Sequence, residues 1–132
     1  MSHLQIISDS IGYLKDEVRT GPGFLIWSDG SKYEGEWANS QANGFGKFWH
    51  SNGDYYEGQF RDNKANGHGV YIHFNGARYE GSWLNDLQDG MGVETWPDGS
   101  YYKGEYKEGK KHGHGRYVWS NGSIYDGDWR DS

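Results

Sequence analysis

The sequence has no cysteine, no long apolar run and little positive charge, and each shortage excludes a class of protein. Without cysteine there is no disulfide framework and no thiolate metal site, which fits a reducing compartment such as the cytoplasm. No apolar run approaches the roughly 18 residues of a membrane-spanning helix. The first residues also lack the basic and apolar stretches of a secretory signal.

Basic residues are outnumbered, with 13 Lys and Arg against 19 Asp and Glu, for a net charge of −6. Nucleic acids and anionic membranes are normally met by a basic face, so neither is expected as the main partner. The balance reverses only between Tyr101 and Arg116, where basic residues outnumber acidic ones.

What the chain has in abundance is glycine (22 residues) and aromatic residues (17%), and both recur at a fixed spacing of 23 residues. The first motif occupies Tyr33–Trp37, Tyr56–Phe60, Tyr79–Trp83, Tyr102–Tyr106 and Tyr125–Trp129. A Gly-x-Gly motif begins at Gly44, Gly67, Gly90 and Gly113. An Asp-Gly or Asn-Gly pair begins at Asp29, Asn52, Asn75, Asp98 and Asn121. Three motifs in one register identify a repeat array.

Each repeat is predicted to be one β-hairpin. In Tyr33–Trp37 the aromatic residues and Gly35 face one side and the two glutamates face the other, which is typical of a half-solvated antiparallel strand. The polar residues from Ala38 to Asn43 are expected to form a turn, with a returning strand from Gly44 to about Ser51. Asn52-Gly53 predicts a type I′ hairpin turn, which needs positive φ at both central residues.

Glycines inside these strands are explained by space for rings. Where Gly35, Gly44 and Gly46 carry no side chain, the rings of Tyr33 and Trp37 can lie over bare backbone. A lone hairpin is marginally stable, so the hairpins must stack edge to edge. We therefore predict an all-β fold, an elongated single-layer antiparallel meander on the order of 48 Å long at about 4.8 Å per strand.

The beginning of the chain has two interpretations. Leu4, Ile7, Ile11, Leu14 and Val18 form a one-face helical stripe, capped at residues 8–10, that would run to about Arg19. Alternatively, residues 10–32 are a degenerate repeat, since Gly12 falls in step with Gly35, and any short helix is confined to residues 1–9. The second interpretation divides the chain into an extension (1–9), a degenerate repeat (10–32), full repeats at 33–55, 56–78, 79–101 and 102–124, and a partial repeat at 125–132.

The motif Tyr-x-Gly-x-Trp, followed by Gly-x-Gly and Asp/Asn-Gly in a 23-residue period, resembles the MORN repeat (membrane occupation and recognition nexus). The resemblance is close over residues 33–129 and loose over residues 10–32, and Phe60 and Tyr106 replace Trp in two repeats. It implies a role in eukaryotic cytoskeleton-associated or membrane-associated assemblies, alone or as an accessory domain of an enzyme such as a lipid kinase or methyltransferase.

Nothing in the sequence forms a catalytic or metal-binding constellation. His68, His112 and His114 lie at or beside the Gly-x-Gly motifs, and His50 and His73 lie one repeat apart, whereas a metal site needs three or four converging ligands. Paired acids such as Glu34 and Glu36 recur at a position that faces water. We therefore expect a non-enzyme without a metal or cofactor.

The aromatic face is the candidate binding surface, because a single-layer sheet has no second layer to cover it. Tyrosine and tryptophan are common anchors of interfaces. An amphipathic helix or an extended segment of a partner protein, or the chain's own N-terminal segment, would cover the face. The predicted partner contacts are Tyr33, Trp37, Tyr56, Phe60, Tyr79, Trp83, Tyr102, Tyr106, Tyr125 and Trp129.

Two further partners are considered. The family name suggests a phospholipid headgroup, for which the candidate contacts are Lys103, Lys107, Lys110 and Lys111. The strand Tyr125–Trp129 ends in mid-repeat with an unpaired edge, and exposed edges are usually protected in native proteins. We therefore expect either a fragment of a longer array or a homodimer through that edge.

Overall fold

One open antiparallel sheet of ten strands, in chain order, makes up nearly all of the computed structural model, which describes residues 14–15 and 18–132. A separate pair of two-residue strands precedes it, and the described residues contain no helix. The pair is β1 (Leu14–Lys15) and β2 (Val18–Arg19). The sheet comprises β3 (Gly21–Ile26), β4 (Lys32–Ala38), β5 (Gln41–Trp49), β6 (Tyr55–Arg61), β7 (Lys64–Ile72), β8 (Arg78–Leu84), β9 (Leu87–Thr95), β10 (Tyr101–Lys107), β11 (Lys110–Val118) and β12 (Ile124–Trp129). The predicted hairpin meander is confirmed.

The helical interpretation of the chain start is wrong where it can be checked. β1 and β2 pair in antiparallel register, with Leu14 opposite Arg19 and Lys15 opposite Val18, so these residues are extended rather than helical. The predicted extension, with its short helix within residues 1–9, lies outside the described residues.

The predicted type I′ turn at Asn52-Gly53 is wrong. Only Gly53 has positive φ (99°), and the Gly53 N–H donates to the His50 carbonyl at 3.1 Å. The His50 N–H donates to the Asp54 carbonyl at 2.9 Å, which closes a three-residue loop around a type I turn followed by a left-handed glycine. An Asn-Gly pair satisfies this loop as well as the two-residue turn, because both require glycine at a left-handed position.

The six-residue turn predicted from Ala38 to Asn43 is also wrong. β4 continues to Ala38 and pairs with Gln41, which leaves a two-residue turn at Asn39-Ser40. Both turn residues have positive φ, 51° and 62°, as a type I′ turn requires. Two consecutive residues with positive φ also form the equivalent turns at Asp62-Asn63, Asn85-Asp86 and Glu108-Gly109. Asn and Asp tolerate this conformation better than other non-glycine residues.

A bulge lies in β5 just after this turn. Gly35 pairs with Gly46 and Trp37 pairs with Ala42, so Glu36 faces three residues of the neighbouring strand. The carboxylate of Glu36 accepts the Phe45 N–H at 2.9 Å and so satisfies a backbone donor that the bulge leaves without a strand partner.

Neighbouring repeats are also joined through their two-residue turns. The side chain of Asn63 accepts the Ala42 N–H at 2.8 Å, and one repeat later Asp86 accepts the Ala65 N–H at 2.7 Å. In return, the Asn63 N–H donates to the Ala42 carbonyl at 3.0 Å. The second residue of each of these turns therefore binds the returning strand of the preceding repeat.

Candidate functional site

The ring face is the side of the sheet that carries the tyrosine of every Tyr-x-Gly-x-Trp motif. One cross-strand row on this face consists of Leu25, Tyr33, Phe48, Tyr56, Tyr71, Tyr79, Glu94, Tyr102, Tyr117 and Tyr125. The neighbouring row contains only glycine: Gly23, Gly35, Gly46, Gly58, Gly69, Gly81, Gly92, Gly104, Gly115 and Gly127. The large residues of the first row thus stand beside a strip of bare backbone.

Each motif tyrosine lies across this glycine strip, as predicted for Gly35 and Gly46. The prediction is wrong for Gly44, because a Cβ there would meet the Glu36 carboxylate at 2.9 Å rather than a ring. A Cβ placed on Gly92 would be 2.5 Å from the Tyr79 ring, and one on Gly81 would be 2.5 Å from the Gly92 Cα. The Tyr79 hydroxyl continues past the glycines and donates to the Ser82 carbonyl at 2.8 Å. The same bond to the residue three positions later is made by Tyr33, Tyr56, Tyr102 and Tyr125.

Aromatic rings of two successive repeats cover each of these tyrosines edge-on except Tyr125, which meets only Trp129 of its own repeat. The Tyr56 ring meets Phe60 of its own repeat at 5.1 Å and Trp83 of the next at 5.4 Å, both nearly perpendicular. This geometry is favourable for aromatic pairs. Tyr56 is consequently fully buried, and burial raises the pKa of its phenol above the usual range.

The predicted partner contacts divide into buried and accessible residues. Seven are buried: Tyr33, Trp37, Tyr56, Phe60, Tyr79, Tyr102 and Tyr106. Trp83 and Trp129 are half-buried, and Tyr125 is 43% exposed because no ring of a following repeat covers it. The assignment of all ten as partner contacts remains a prediction, and only these last three present substantial surface in the structure.

Further accessible aromatic residues lie on the ring face. They belong to the returning strands and the loops that follow them: Trp27, Tyr71, Trp96, Tyr117 and Trp119. Trp119 is 43% exposed, and its ring lies 4.5 Å from that of Tyr117. The signal that could have identified them is the two-residue alternation carried on from Phe48, which puts residues 50, 73, 96 and 119 on the ring face.

A polar cluster surrounds Asp54, the only acid at a position that is Ser or Ala in the other repeats. Its carboxylate accepts the Tyr71 hydroxyl at 2.6 Å and lies 3.7 Å from His73 Nδ1. Although its partial burial acts in the opposite direction, the hydrogen bonds from Tyr71 and the Phe74 N–H hold the pKa of Asp54 below its usual value. Burial lowers the pKa of the nearby His50, so a neutral imidazole is favoured there.

A second acid, Glu94, occupies a place in the row where most members are aromatic. It accepts the Tyr106 hydroxyl at 2.6 Å, and burial together with this bond raises the pKa of Tyr106. Lys111 lies nearby on the ring face, with its Nζ 5.5 Å from the Trp96 ring centroid and 5.3 Å from that of Tyr102.

The opposite face combines charged and apolar side chains. Glu34 and Glu36 are exposed, as predicted. The returning strands add apolar residues that the sequence analysis did not consider, including Phe45, Ile72 and Met91, each more than a third exposed. The candidate lipid contacts are divided: Lys103 and Lys107 lie on this face, Lys110 flanks the turn, and Lys111 lies on the ring face.

Among residues 14–15 and 18–132, no group of three or more His, Asp or Glu side chains is arranged to hold a metal ion. The part of the chain that the structure describes also has no helix long and apolar enough to cross a bilayer.

Comparison with known proteins identifies the repeat. The family model described as MORN repeat matches residues 11–32, 33–55, 56–78, 79–101 and 102–124. No curated protein shows significant sequence similarity to the chain.

Among solved structures, the chain is similar to the Drosophila melanogaster SAS-4 (dCPAP) TCP domain in complex with a proline-rich motif of Ana2 (dSTIL). The TM-score is 0.53 at 15% sequence identity, and the match covers 87% of this chain and 62% of that one. The chain therefore spans less than two thirds of that structure's length, and at this identity the likeness concerns the fold alone.

Proposed function

The chain belongs to the MORN repeat family, and from that premise we propose that it is a protein-interaction module whose ring face binds a segment of a partner protein. The observation that carries the proposal is the row of half-exposed rings on a sheet face that no second layer covers within residues 14–15 and 18–132. Tyrosine and tryptophan offer large contact area at a small entropic cost and are enriched at binding hot spots. The MORN repeat is generally a non-catalytic module, so we propose no reaction.

Charge distribution favours the ring face over the opposite face. The opposite face carries ion pairs within the sheet, such as Arg116 with Asp126 at 3.0 Å and Arg78 with Glu80 at 3.1 Å. Covering these pairs with a partner would desolvate charges that water now screens, and that costs free energy. The accessible side chains of the ring face are mainly aromatic, and their burial is favourable.

The partner is proposed to be a protein segment rather than a folded domain. The sheet similar to this one was solved in complex with a proline-rich motif. Extended proline-rich segments bind in aromatic-lined grooves at a small entropic cost, because they are already ordered before binding. An amphipathic helix would satisfy the same rings through residues three and four apart. We further propose, from what the family resemblance implies, that such a complex belongs to a cytoplasmic assembly associated with the cytoskeleton or a membrane.

Two adjacent residues of similar exposure allow a direct test of which face binds. Ile72 lies on the opposite face and is 37% exposed, whereas the side chain of His73 lies on the ring face and is 40% exposed. A photo-crosslinking phenylalanine derivative is introduced at one position or the other, and the protein is irradiated in eukaryotic cells. Circular dichroism of both variants controls for folding.

We expect the variant at position 73 to give discrete crosslinked species that the variant at position 72 gives weakly or not at all. Equal crosslinking at both positions, or stronger crosslinking at position 72, would contradict the ring face as the binding surface.

A further inference from the structure

A cleft of about 260 Å³ opens on the ring face between β7, β8 and β9. It is lined by Tyr71, His73, Trp83, Asp86, Leu87 and Gln88. Small-molecule sites usually measure about 300–1,000 Å³, so this cleft has the size for one side chain of a partner rather than for a whole cofactor.

Acidic groups dominate the surroundings of this cleft. Asp86 is one of the lining residues, and Asp54 contacts two others, Tyr71 by a hydrogen bond and His73 at 3.7 Å. Among the described residues that line the cleft there is no lysine or arginine, and only His73 can become positively charged. The cleft therefore combines an acidic residue with two aromatic rings, an arrangement that attracts a cation.

The fold does not require the negative charge of Asp86. Its Oδ1 accepts the Ala65 N–H at 2.7 Å, but the neutral amide of Asn63 makes the equivalent bond to the Ala42 N–H at 2.8 Å. Serine and glycine occupy the same turn position in the other two repeats, at Ser40 and Gly109. A carboxylate has about four acceptor sites, so one backbone bond leaves most of the capacity of Asp86 for a ligand.

We propose that this cleft binds an arginine side chain of the partner segment, with the guanidinium on Asp86 and the stem against Trp83, Tyr71 and Leu87. The inference rests on the proposed function, because it assigns one residue of the segment that binds the ring face. Arginine fits better than lysine, since its planar group stacks on rings and donates paired hydrogen bonds to a carboxylate.

The test uses short capped peptides as probes: acetyl-Leu-Arg-Leu-amide, and the same peptide with lysine or with citrulline, the neutral isostere of arginine. Binding is followed by two-dimensional ¹H–¹⁵N NMR of the wild-type chain. We expect saturable shifts at the Trp83 indole and the Ala65 amide. We also expect the arginine peptide to bind about tenfold more tightly than the citrulline peptide, as a hydrogen bond to a charged group implies.

Two matched variants separate the Asp86 charge from the overall charge. Asp86→Asn introduces the residue type that the preceding repeat has at the equivalent turn position, Asn63. It keeps the backbone hydrogen bond and removes only the charge. Asp62→Asn introduces the residue type that the following repeat has at the equivalent turn position, Asn85, and removes an exposed charge away from the cleft. We expect Asp86→Asn to abolish the preference for arginine over citrulline, and Asp62→Asn to leave it unchanged.

The arginine assignment would be overturned if the citrulline peptide or the lysine peptide bound as tightly as the arginine peptide. A preference for arginine over citrulline that survives Asp86→Asn would also overturn it. If that occurs while crosslinking remains specific to position 73, the proposed function stands and only this inference fails. If crosslinking moves to position 72, the proposed function fails first.

Discussion

The contact between a tyrosine ring and a glycine backbone is the smallest unit of this molecule. Tyr79 shows all of its parts: the ring lies over Gly92, the hydroxyl donates to the Ser82 carbonyl, and Trp83 and Tyr106 cover the sides. Because glycine has no side chain, the strands can carry rings that would otherwise collide with the Cβ of a neighbouring strand. Buried area lost at glycine is recovered on the ring.

The cost of adding a methyl group to this strip depends on what it meets. A Cβ at Gly81 would lie 2.5 Å from the Met91 carbonyl oxygen, which is backbone and cannot move without disturbing the sheet. At Gly127 it would meet only the exposed Tyr125 side chain, at 2.9 Å or more. We expect Gly81→Ala to destabilise the fold by about 1–3 kcal/mol and Gly127→Ala by much less. Urea denaturation measures both, and equal losses would contradict this packing account.

Alkaline pH should unfold the protein through its buried tyrosines. Burial, followed by the hydrogen bond to Glu94, raises the pKa of Tyr106 above the usual value of about 10. Above about pH 10 the unfolded chain loses phenolic protons that the folded chain retains, so stability is full below that pH and falls as the pH rises. In Tyr106→Phe we expect the loss to be shallower by about 1.4 kcal/mol per pH unit. Urea denaturation at several alkaline pH values measures the slopes, and equal slopes would contradict the prediction.

At the scale of the element, each hairpin is defined by two different turns. The sequence predicted the first strand of each hairpin correctly, because the alternation of rings and acids in Tyr33–Trp37 permits only one orientation of a strand. The returning strand begins at Gln41, three residues before the predicted Gly44. It misassigned the turns, since Asn52-Gly53 is compatible with both two-residue and three-residue loops. The true two-residue turns, such as Asn39-Ser40, contain polar residues that also occur in longer loops.

The turn residue Asn63 carries two separable contributions to stability. It adopts a left-handed φ of 69° and its side chain accepts the Ala42 N–H. Asn63→Gly keeps the conformation and loses the bond, which we expect to cost about 0.5–1.5 kcal/mol. Asn63→Ala also adds the left-handed penalty of about 1–2 kcal/mol. Denaturation midpoints should therefore fall in the order wild type, Gly, Ala, and a more stable Ala variant would refute this role of the turn.

At the scale of the whole molecule, contacts join neighbouring repeats, so stability should be close to a sum over repeats and their interfaces. The ring contacts show the coupling: Tyr79 packs on Tyr106 of the following repeat as Tyr56 packs on Trp83.

Removing one full period should therefore preserve the fold. Deleting residues 79–101 joins Arg78 to Tyr102 in register and lets Tyr56 pack against Tyr106. We expect a folded, less stable β-protein by circular dichroism. Deletion of residues 79–89, about half a period, breaks the register and should abolish cooperative unfolding. If both deletions behave alike, the repeats are not independent units.

The binding surface was less predictable than the fold. All ten residues that the sequence assigned as contacts lie on the ring face, but seven of them are buried. A ring such as Tyr56 is covered by Trp83 of the next repeat, and a view of one hairpin at a time leaves that contact out. The acid of the cleft, Asp86, was missed because a turn residue gives no periodic signal of its own.

The central claim is tested most directly by hydroxyl-radical footprinting, because this method reports on both faces at once. The free protein is compared with its complex with a partner that crosslinking has identified. We predict that the partner protects the ring-face residues Trp83, Trp96 and Trp119 and leaves Phe45 and Met91 of the opposite face as reactive as before. Protection of Phe45 and Met91 with unchanged reactivity of the three tryptophans would contradict the account.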